Sequence, residues 1–403
     1  MKPTLKRKYG VIVDNSTHKT IKRPCFILCN HQAAFDQFTV GIAFKFGINY
    51  VASDTIFRHG LQSWLMKKLV KPIPITKGQS DMQAVKKMME AIKNGGAVGI
   101  FPEGNRCFFG ETMNIGQGTG RLAKMLKVPL VLMRMQGGYL AKPRWKIKPN
   151  KGRVTAGVVR VIGIEELAAM TNEQVQEIID RELYQNDFEW NTAERIKFLG
   201  KARAEHLESI LFYCPRCETV GSLVSKVHDF YCSSCDLRTS IDEYGFFEQN
   251  TNCKGDSCVS LCSSQDDNIS VLSAYSLPAT ILEWSKLQLQ FIKNSDYSSY
   301  NDKPIFCDND ILLSKAIKAK KQLDTKKGDI AIYNDRFEIA GTTIMLRDVK
   351  NLSIQEVRKL SIYTTKDTYV IDVPLKRNLV KYMILGYHLK NLSEGIQEGY
   401  YGY

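Results

Sequence analysis

"ILCNHQAAFDQF", residues 27–38, runs an apolar stretch straight into Asn30 and His31, with a carboxylate at Asp36 after four intervening residues. The short apolar run "CFILC" (25–29) reads as a buried strand. "FDQFTVGIAFKFG" (35–47) reads as a helix closed by Gly47. A step of five residues along a helix turns a side chain by about 140°. His31 and Asp36 therefore meet only if His31 stays in the turn and Asp36 opens the helix. A strand followed at once by a turn and a helix is the unit of α/β architecture.

Outward from this stretch, residues 1 to roughly 165 keep the same alternation. "YVAS" (50–53), "IPI" (73–75), "AVGIF" (97–101) and "PLVLMRM" (129–135) read as strands. "LQSWLMKKLV" (61–70), "SDMQAVKKMMEAIKNGG" (80–96) and "GRLAKMLK" (120–127) read as helices. In the second of these, Ser80 or Asp81 is the candidate cap, Met82, Val85, Met89 and Ile92 share a face, and Gly95-Gly96 stop the helix. The expected fold class is α/β, a largely parallel sheet flanked by helices.

Three polar clusters each follow a predicted strand: His31 and Asp36 after 25–29, Lys77 after 73–75, and "PEGNR" (102–106) after 97–101. In an open parallel sheet all three gather on the carboxyl rim, where ligands bind. A neutral histidine is a suitable general base near pH 7, and a carboxylate on its other nitrogen fixes the tautomer. No G-x-S-x-G elbow or marked nucleophile accompanies the pair, so the base would activate a hydroxyl on the substrate. Lys77 and Arg106 suit a phosphate. Glu103 suits substrate hydroxyls, and Gly104 allows close backbone approach. "GQGTGR" (116–121) follows no strand and carries Arg121 where a dinucleotide loop needs glycine, so it reads as a turn opening a helix.

"NHQAAFD", "PIPITK", "FPEGNR" and "VPLVL", in this order and at these distances, resemble the four blocks of the glycerolipid acyltransferases, most closely the 1-acylglycerol-3-phosphate (lysophosphatidic acid) acyltransferases. The resemblance covers roughly residues 20 to 165. It implies that His31 is the catalytic base and Asp36 its partner. Lys77 stands where the family usually has arginine, Glu103, Gly104 and Arg106 match the acceptor-binding block, and Pro129 matches the first proline of the fourth. Asn105 replaces the usual threonine and Leu132 the usual second proline. Only 24 residues precede the first block, little room for the membrane-associated helices often found there. The implied reaction is direct transfer from acyl-CoA or acyl-carrier protein to a lysophospholipid acceptor.

"CPRC" (214–217) and "CSSC" (232–235), separated by 14 residues, suit one tetrahedral Zn²⁺ held by Cys214, Cys217, Cys232 and Cys235. Four thiolates leave no open position, so the metal's role would be structural. The alternative is a pair of redox motifs. Cys253, Cys258 and Cys262 fall in a polar stretch without a fourth partner and read as free thiols.

Lys and Arg outnumber Asp and Glu by 56 to 42, a net +14 that favours anionic partners. "KPRWKIKPNKGR" (142–153) holds six cations, one tryptophan and no acid, which suits an anionic membrane surface or, equally, a solvated hairpin. The N-terminal "KRK" would add to the same attraction. Zinc ribbons and positive charge also fit nucleic acid, but the ribbon segment lacks a dense basic cluster and no RNA motif is visible, so nucleic acid is disfavoured. The chain shows no signal-peptide core and no run of about 18 apolar residues. Cysteine usage fits a reducing compartment. The expected location is cytoplasmic, peripheral to the inner face of the membrane.

The expected organisation is an acyltransferase domain over 1–210, with residues 166 to about 210 helical. A zinc-ribbon-like segment follows over 211–250, then a linker and helix over 251–300. Strand-like pieces from about 305 and a last helix (377–390) predict a small β-rich domain over 301–403, similar in outline to a pleckstrin-homology domain. The rival to an enzyme is a lipid- or nucleic-acid-binding protein that keeps only the scaffold.

Overall fold

Alternation within Cys25–Cys29 sets the first layer of the molecule. The computed structural model describes residues 2–14, 16, 20–53, 72–75, 82–248, 277–316, 325–355, 357–396 and 399–402. In it the segment is a fully buried strand, β2, preceded by helix α1 (Lys2–Tyr9) and strand β1 (Val11–Val13). Cys25, Ile27 and Cys29 pack into one core. Phe26 and Leu28 pack into another on the opposite face, as the two-residue period of a strand requires.

The first sheet also holds β3 (Ile48–Ser53), β4 (Ile73–Ile75), β5 (Ala97–Ile100), β6 (Leu130–Gln136) and β7 (Val154–Ile162), in the order β1-β7-β6-β2-β5-β3-β4. From β6 through β4 all neighbours are parallel. At the other edge β7 runs antiparallel to β6, and β1 lies parallel to β7. The largely parallel α/β sheet expected from the sequence is therefore present, with a reversed edge.

The helices differ from expectation in detail. α2 (Asp36–Ala43) stops four residues short of Gly47, because Phe44 takes an extended conformation (φ −110, ψ 151) and is buried. α3 (Met82–Lys93) buries Ala84, Met88 and Ile92. The expected Met82–Met89 stripe is rotated outward, with both methionines exposed. Two short helices, α4 (Thr119–Leu126) and α5 (Gly138–Ala141), follow. After α6 (Ile164–Ala169), α7 (Asn172–Leu183) and α8 (Asp187–Glu194), the helical reading of 166–210 fails: beyond Glu194 only a short 3₁₀ turn at Leu207–Ser209 is helical. The predicted helix 61–70, the candidate caps Ser80 and Asp81, and the stretch holding Cys253, Cys258 and Cys262 lie outside the described residues.

Strands β8 (Leu223–Lys226), β9 (Asp229–Cys232) and β10 (Arg238–Ser240) form an antiparallel ribbon. Helix α9 (Ile281–Asn294) is N-capped by Thr280, whose hydroxyl accepts from the Glu283 amide. It inserts Trp284 beside the ribbon. The indole is wholly buried, lies 5.2 Å from the Phe230 ring and 5.1 Å from the Phe247 ring, and donates to the Tyr213 carbonyl at 2.8 Å. A third, antiparallel sheet holds β11 (Phe306–Ala316), β12 (Thr325–Ile332), β13 (Arg336–Ile339), β14 (Thr342–Met345), β15 (Val349–Gln355), β16 (Lys359–Thr364) and β17 (Thr368–Asp372), in the order β14-β13-β12-β11-β17-β16-β15. Its closing helix α10 (Val380–Ser393) is buried along nearly its whole surface. The core on the Ile27 face of the first sheet continues without a break through the ribbon into this β-rich region. Among the described residues no helix is long and apolar enough to cross a membrane.

Candidate active site

The carboxyl ends of β2, β5 and β6 lie side by side, so the turns leaving them share one rim. Asn30 caps β2 there. Its buried amide donates to the Met135 carbonyl at 2.9 Å and accepts from the Met135 amide at 2.7 Å, tying the end of β2 to β6. The next residue, His31, is thereby held at a fixed height above the sheet.

His31 Nδ1 lies 2.8 Å from Asp36 Oδ2. The same oxygen accepts from the backbone amides of Gln32 (2.7 Å) and Ala33 (2.8 Å). Asp36 is wholly buried and opens α2, as the sequence spacing required. An oxygen already accepting two N–H groups takes the third contact as an acceptor too, so Nδ1 carries the proton and Nε2 keeps its lone pair. The ring stacks on Phe101, with centroids 4.3 Å apart. Burial lowers the His31 pKa from its ordinary value. The Asp36 hydrogen bond and charge oppose that, and the nearby Arg106 and Arg144 charges reinforce it. A lowered pKa favours the neutral ring at neutral pH.

The turn after β5 clasps the backbone of His31. Glu103 Oε1 accepts from the His31 amide at 2.6 Å, and the Cys107 amide donates to the His31 carbonyl at 2.8 Å. Glu103 Oε2 accepts from the Met113 amide at 2.7 Å. The sequence reading put Glu103 against substrate hydroxyls. Here it is buried with both oxygens engaged by main chain, one of them on the His31 amide. Burial pushes its pKa up to about 8 against the pull of those two amides. Glu103→Ala would strand two buried N–H donors, each worth about 1–3 kcal/mol. The expected result is a lower urea midpoint at unchanged m-value.

Gly104 is exposed at φ +69 with open space around it, so backbone conformation rather than crowding calls for glycine. Arg106 is half-buried at the same turn, and its carbonyl accepts from Arg144 Nη1 at 2.7 Å. Of the six rim residues singled out from sequence, five come together here. Lys77 lies outside the described residues.

Three further residues carry the site and left no sequence signal. Gln32 donates to Asp187 Oδ1 at 2.7 Å and accepts from the Gly138 amide at 3.0 Å. Asp187 also accepts from the Gly137 and Tyr139 amides, at 2.9 and 3.0 Å. Arg144 is the third. These partners are far apart in the chain, and only the fold brings them together.

The loop 142–153 is exposed only in part, and its tryptophan is not at the surface. Trp145 is buried, with its indole N–H on the Tyr139 hydroxyl at 3.3 Å. Lys146 is also buried and donates to Asn150 Oδ1 (2.6 Å) and the Ala202 carbonyl (2.7 Å). Only its tip, Ile147 and Lys148, with Lys151 and Arg153, stays outside.

Away from the rim, the sulfurs of Cys214, Cys217, Cys232 and Cys235 all lie within 4.8 Å of one another. The Cys214–Cys235 and Cys217–Cys232 separations are 3.8 and 3.6 Å. A tetrahedron with Zn–S bonds of about 2.3 Å has edges of about 3.8 Å, and a disulfide is far shorter, about 2.05 Å. The Ser234 amide points at Cys232 Sγ (3.3 Å), the kind of outer contact that steadies a thiolate ligand. The residues fit a four-thiolate metal.

Residues 10–136 match the acyltransferase family model. The chain is 27% identical over 191 residues to a 1-acyl-sn-glycerol-3-phosphate acyltransferase of Bacillus subtilis, covering 44% of this chain and 92% of that protein. A Pseudomonas aeruginosa protein of the same name is 29% identical over 140 residues, 34% of this chain and 54% of that one. Among solved structures, the 1-acyl-sn-glycerophosphate (LPA) acyltransferase PlsC from Thermotoga maritima aligns with a TM-score of 0.36 at 19% identity, over 43% of this chain and 70% of that chain.

Proposed function

Because residues 10–136 are an acyltransferase-family domain, we propose that this chain transfers an acyl group from acyl-CoA or acyl-carrier protein to the free hydroxyl of a lysophospholipid, foremost 1-acylglycerol 3-phosphate, giving phosphatidic acid. The observation that carries this reading is the His31–Asp36 contact at the carboxyl rim, with His31 clasped by the Glu103–Cys107 turn.

In this mechanism His31 Nε2 takes the acceptor hydroxyl proton while the oxygen attacks the thioester carbonyl. Asp36 stabilises the imidazolium that forms. The C–S bond then breaks, and the thiolate, with a free pKa near ~8.5, leaves and recovers the proton from His31. Arg106, with Lys77, holds the acceptor phosphate. The four clustered cysteines hold one Zn²⁺ that ties the ribbon together. Contact with an anionic membrane surface belongs to the same reading. It is supported by the exposed Ile147 and Leu199, the latter in a β-bridge with Lys151, and by the exposed Lys148 and Lys201 that adjoin them in the chain.

The test is a panel of lipid acceptors with labelled acyl-CoA and acyl-carrier protein in separate arms, read by mass spectrometry. Transfer to lysophosphatidate is expected. Transfer only to other lipid alcohols would remove the acceptor assignment, and no transfer in any arm would remove the reaction. The active form of His31 is neutral and its pKa is lowered. The kcat/KM profile should therefore have the midpoint of its acidic limb below the ordinary histidine value of about 6.5.

A further inference from the structure

The C-terminal β-rich region meets the rim at one strand. Arg144 sits between them. Its guanidinium lies over the Phe108 ring, 3.9 Å from the centroid, and the residue is buried. Nη1 donates to the Arg106 carbonyl at 2.7 Å, and Nη2 donates to the Ile354 carbonyl of β15. Beside it, Ser353 Oγ lies 3.4 Å from Asn105 Oδ1. Near the end of the chain, Tyr400 packs edge-on against Tyr387 of α10, with ring centroids 5.1 Å apart. Two links therefore join β15 to the turn 103–108: Ser353 to Asn105 directly, and Ile354 to Arg106 through Arg144.

We propose that the C-terminal β-rich region is a working part of the acceptor site. Arg144, clamped between Phe108 and the β15 backbone, positions Arg106 and so sets the grip on the acceptor phosphate. Arg144 is a positioning residue: it acts through the Arg106 main chain. A buried planar fork donating to two carbonyls on different elements fixes both in one geometry, which a flexible lysine does not. Its charge also faces His31, alongside Arg106, Asp36 and the Glu103 carboxyl held against the His31 amide. The placement explains why a residue without contact to the dyad is buried at such expense of hydration.

This inference rests on the acyl-transfer reading, so its test has one arm that does not need turnover. In the full-length protein, Arg144→Met is expected to raise the KM for lysophosphatidate roughly tenfold, the equivalent of one charge-assisted hydrogen bond. The KM for the acyl donor should stay within about twofold. Arg144→Lys, which keeps the charge and the stacked stem but loses the fork, should fall between the two. Independently, hydrogen exchange should quicken together at residues 103–108 and 349–355 in both variants, with β8–β10 unchanged. If Arg144→Met does not fold, Arg144→Lys and Ser353→Ala carry the same comparison. Equal changes in the two KM values, or faster exchange at 103–108 with none at 349–355, would overturn the proposal. A wild-type protein inactive on lysophosphatidate would instead remove the functional reading, and the exchange arm would still decide the coupling.

Discussion

His31→Ala is expected to lower kcat for acyl transfer by roughly 10²–10⁴-fold, the usual contribution of a positioned general base. The loss should fall on kcat rather than on binding, because the residues proposed to hold the acceptor phosphate are untouched. Asp36 Oδ2 would keep the Gln32 and Ala33 amides, so the turn that opens α2 survives and circular dichroism should not change. Asp36→Asn separates the two jobs of the carboxylate. The amide oxygen can still accept from those two backbone groups, yet it carries no charge to stabilise an imidazolium. A large fall in kcat with a folded protein is the expected outcome. Undiminished turnover in His31→Ala, measured with labelled donor, would take the imidazole out of the chemistry.

The second large effect is on folding. Elemental analysis of the purified chain is expected to find one zinc per molecule, and Cys232→Ser with Cys235→Ser should abolish it. Structural zinc contributes about 10–16 kcal/mol in small zinc-finger peptides, comparable to the whole stability of an ordinary domain, about 5–15 kcal/mol. The ribbon has three short strands and little core of its own, so it has no means of offsetting that loss. The damage should spread, because Tyr213, next to the first knuckle, receives the Trp284 indole. Chelator or the double variant should therefore lower the thermal midpoint and expose Trp284 to quencher. A variant that keeps full zinc, or an unchanged midpoint on chelation, would refute the assignment.

Much of the first sheet was legible because its strands are short, apolar and each followed by a polar turn. The five-residue step from His31 to Asp36 fixed their arrangement before any coordinates. What escaped was information carried by distant pairs. Nothing around Asp187 announces that it will meet Gln32, and a run of six cations around Trp145 looks like a surface until the fold buries half of it. The α3 stripe was misread because two candidate faces share Ile92, and only the neighbouring layer decides between them.

The wholly buried Trp284, together with the Phe247 amide donating to the Ala279 carbonyl at 2.9 Å, has a consequence for the chain's architecture. The two ends of the 249–276 stretch are already fastened to one another through non-covalent packing. A break in the polypeptide there would leave two pieces still holding each other, so the protein is suited to being split at that point and reassembled from separately expressed halves.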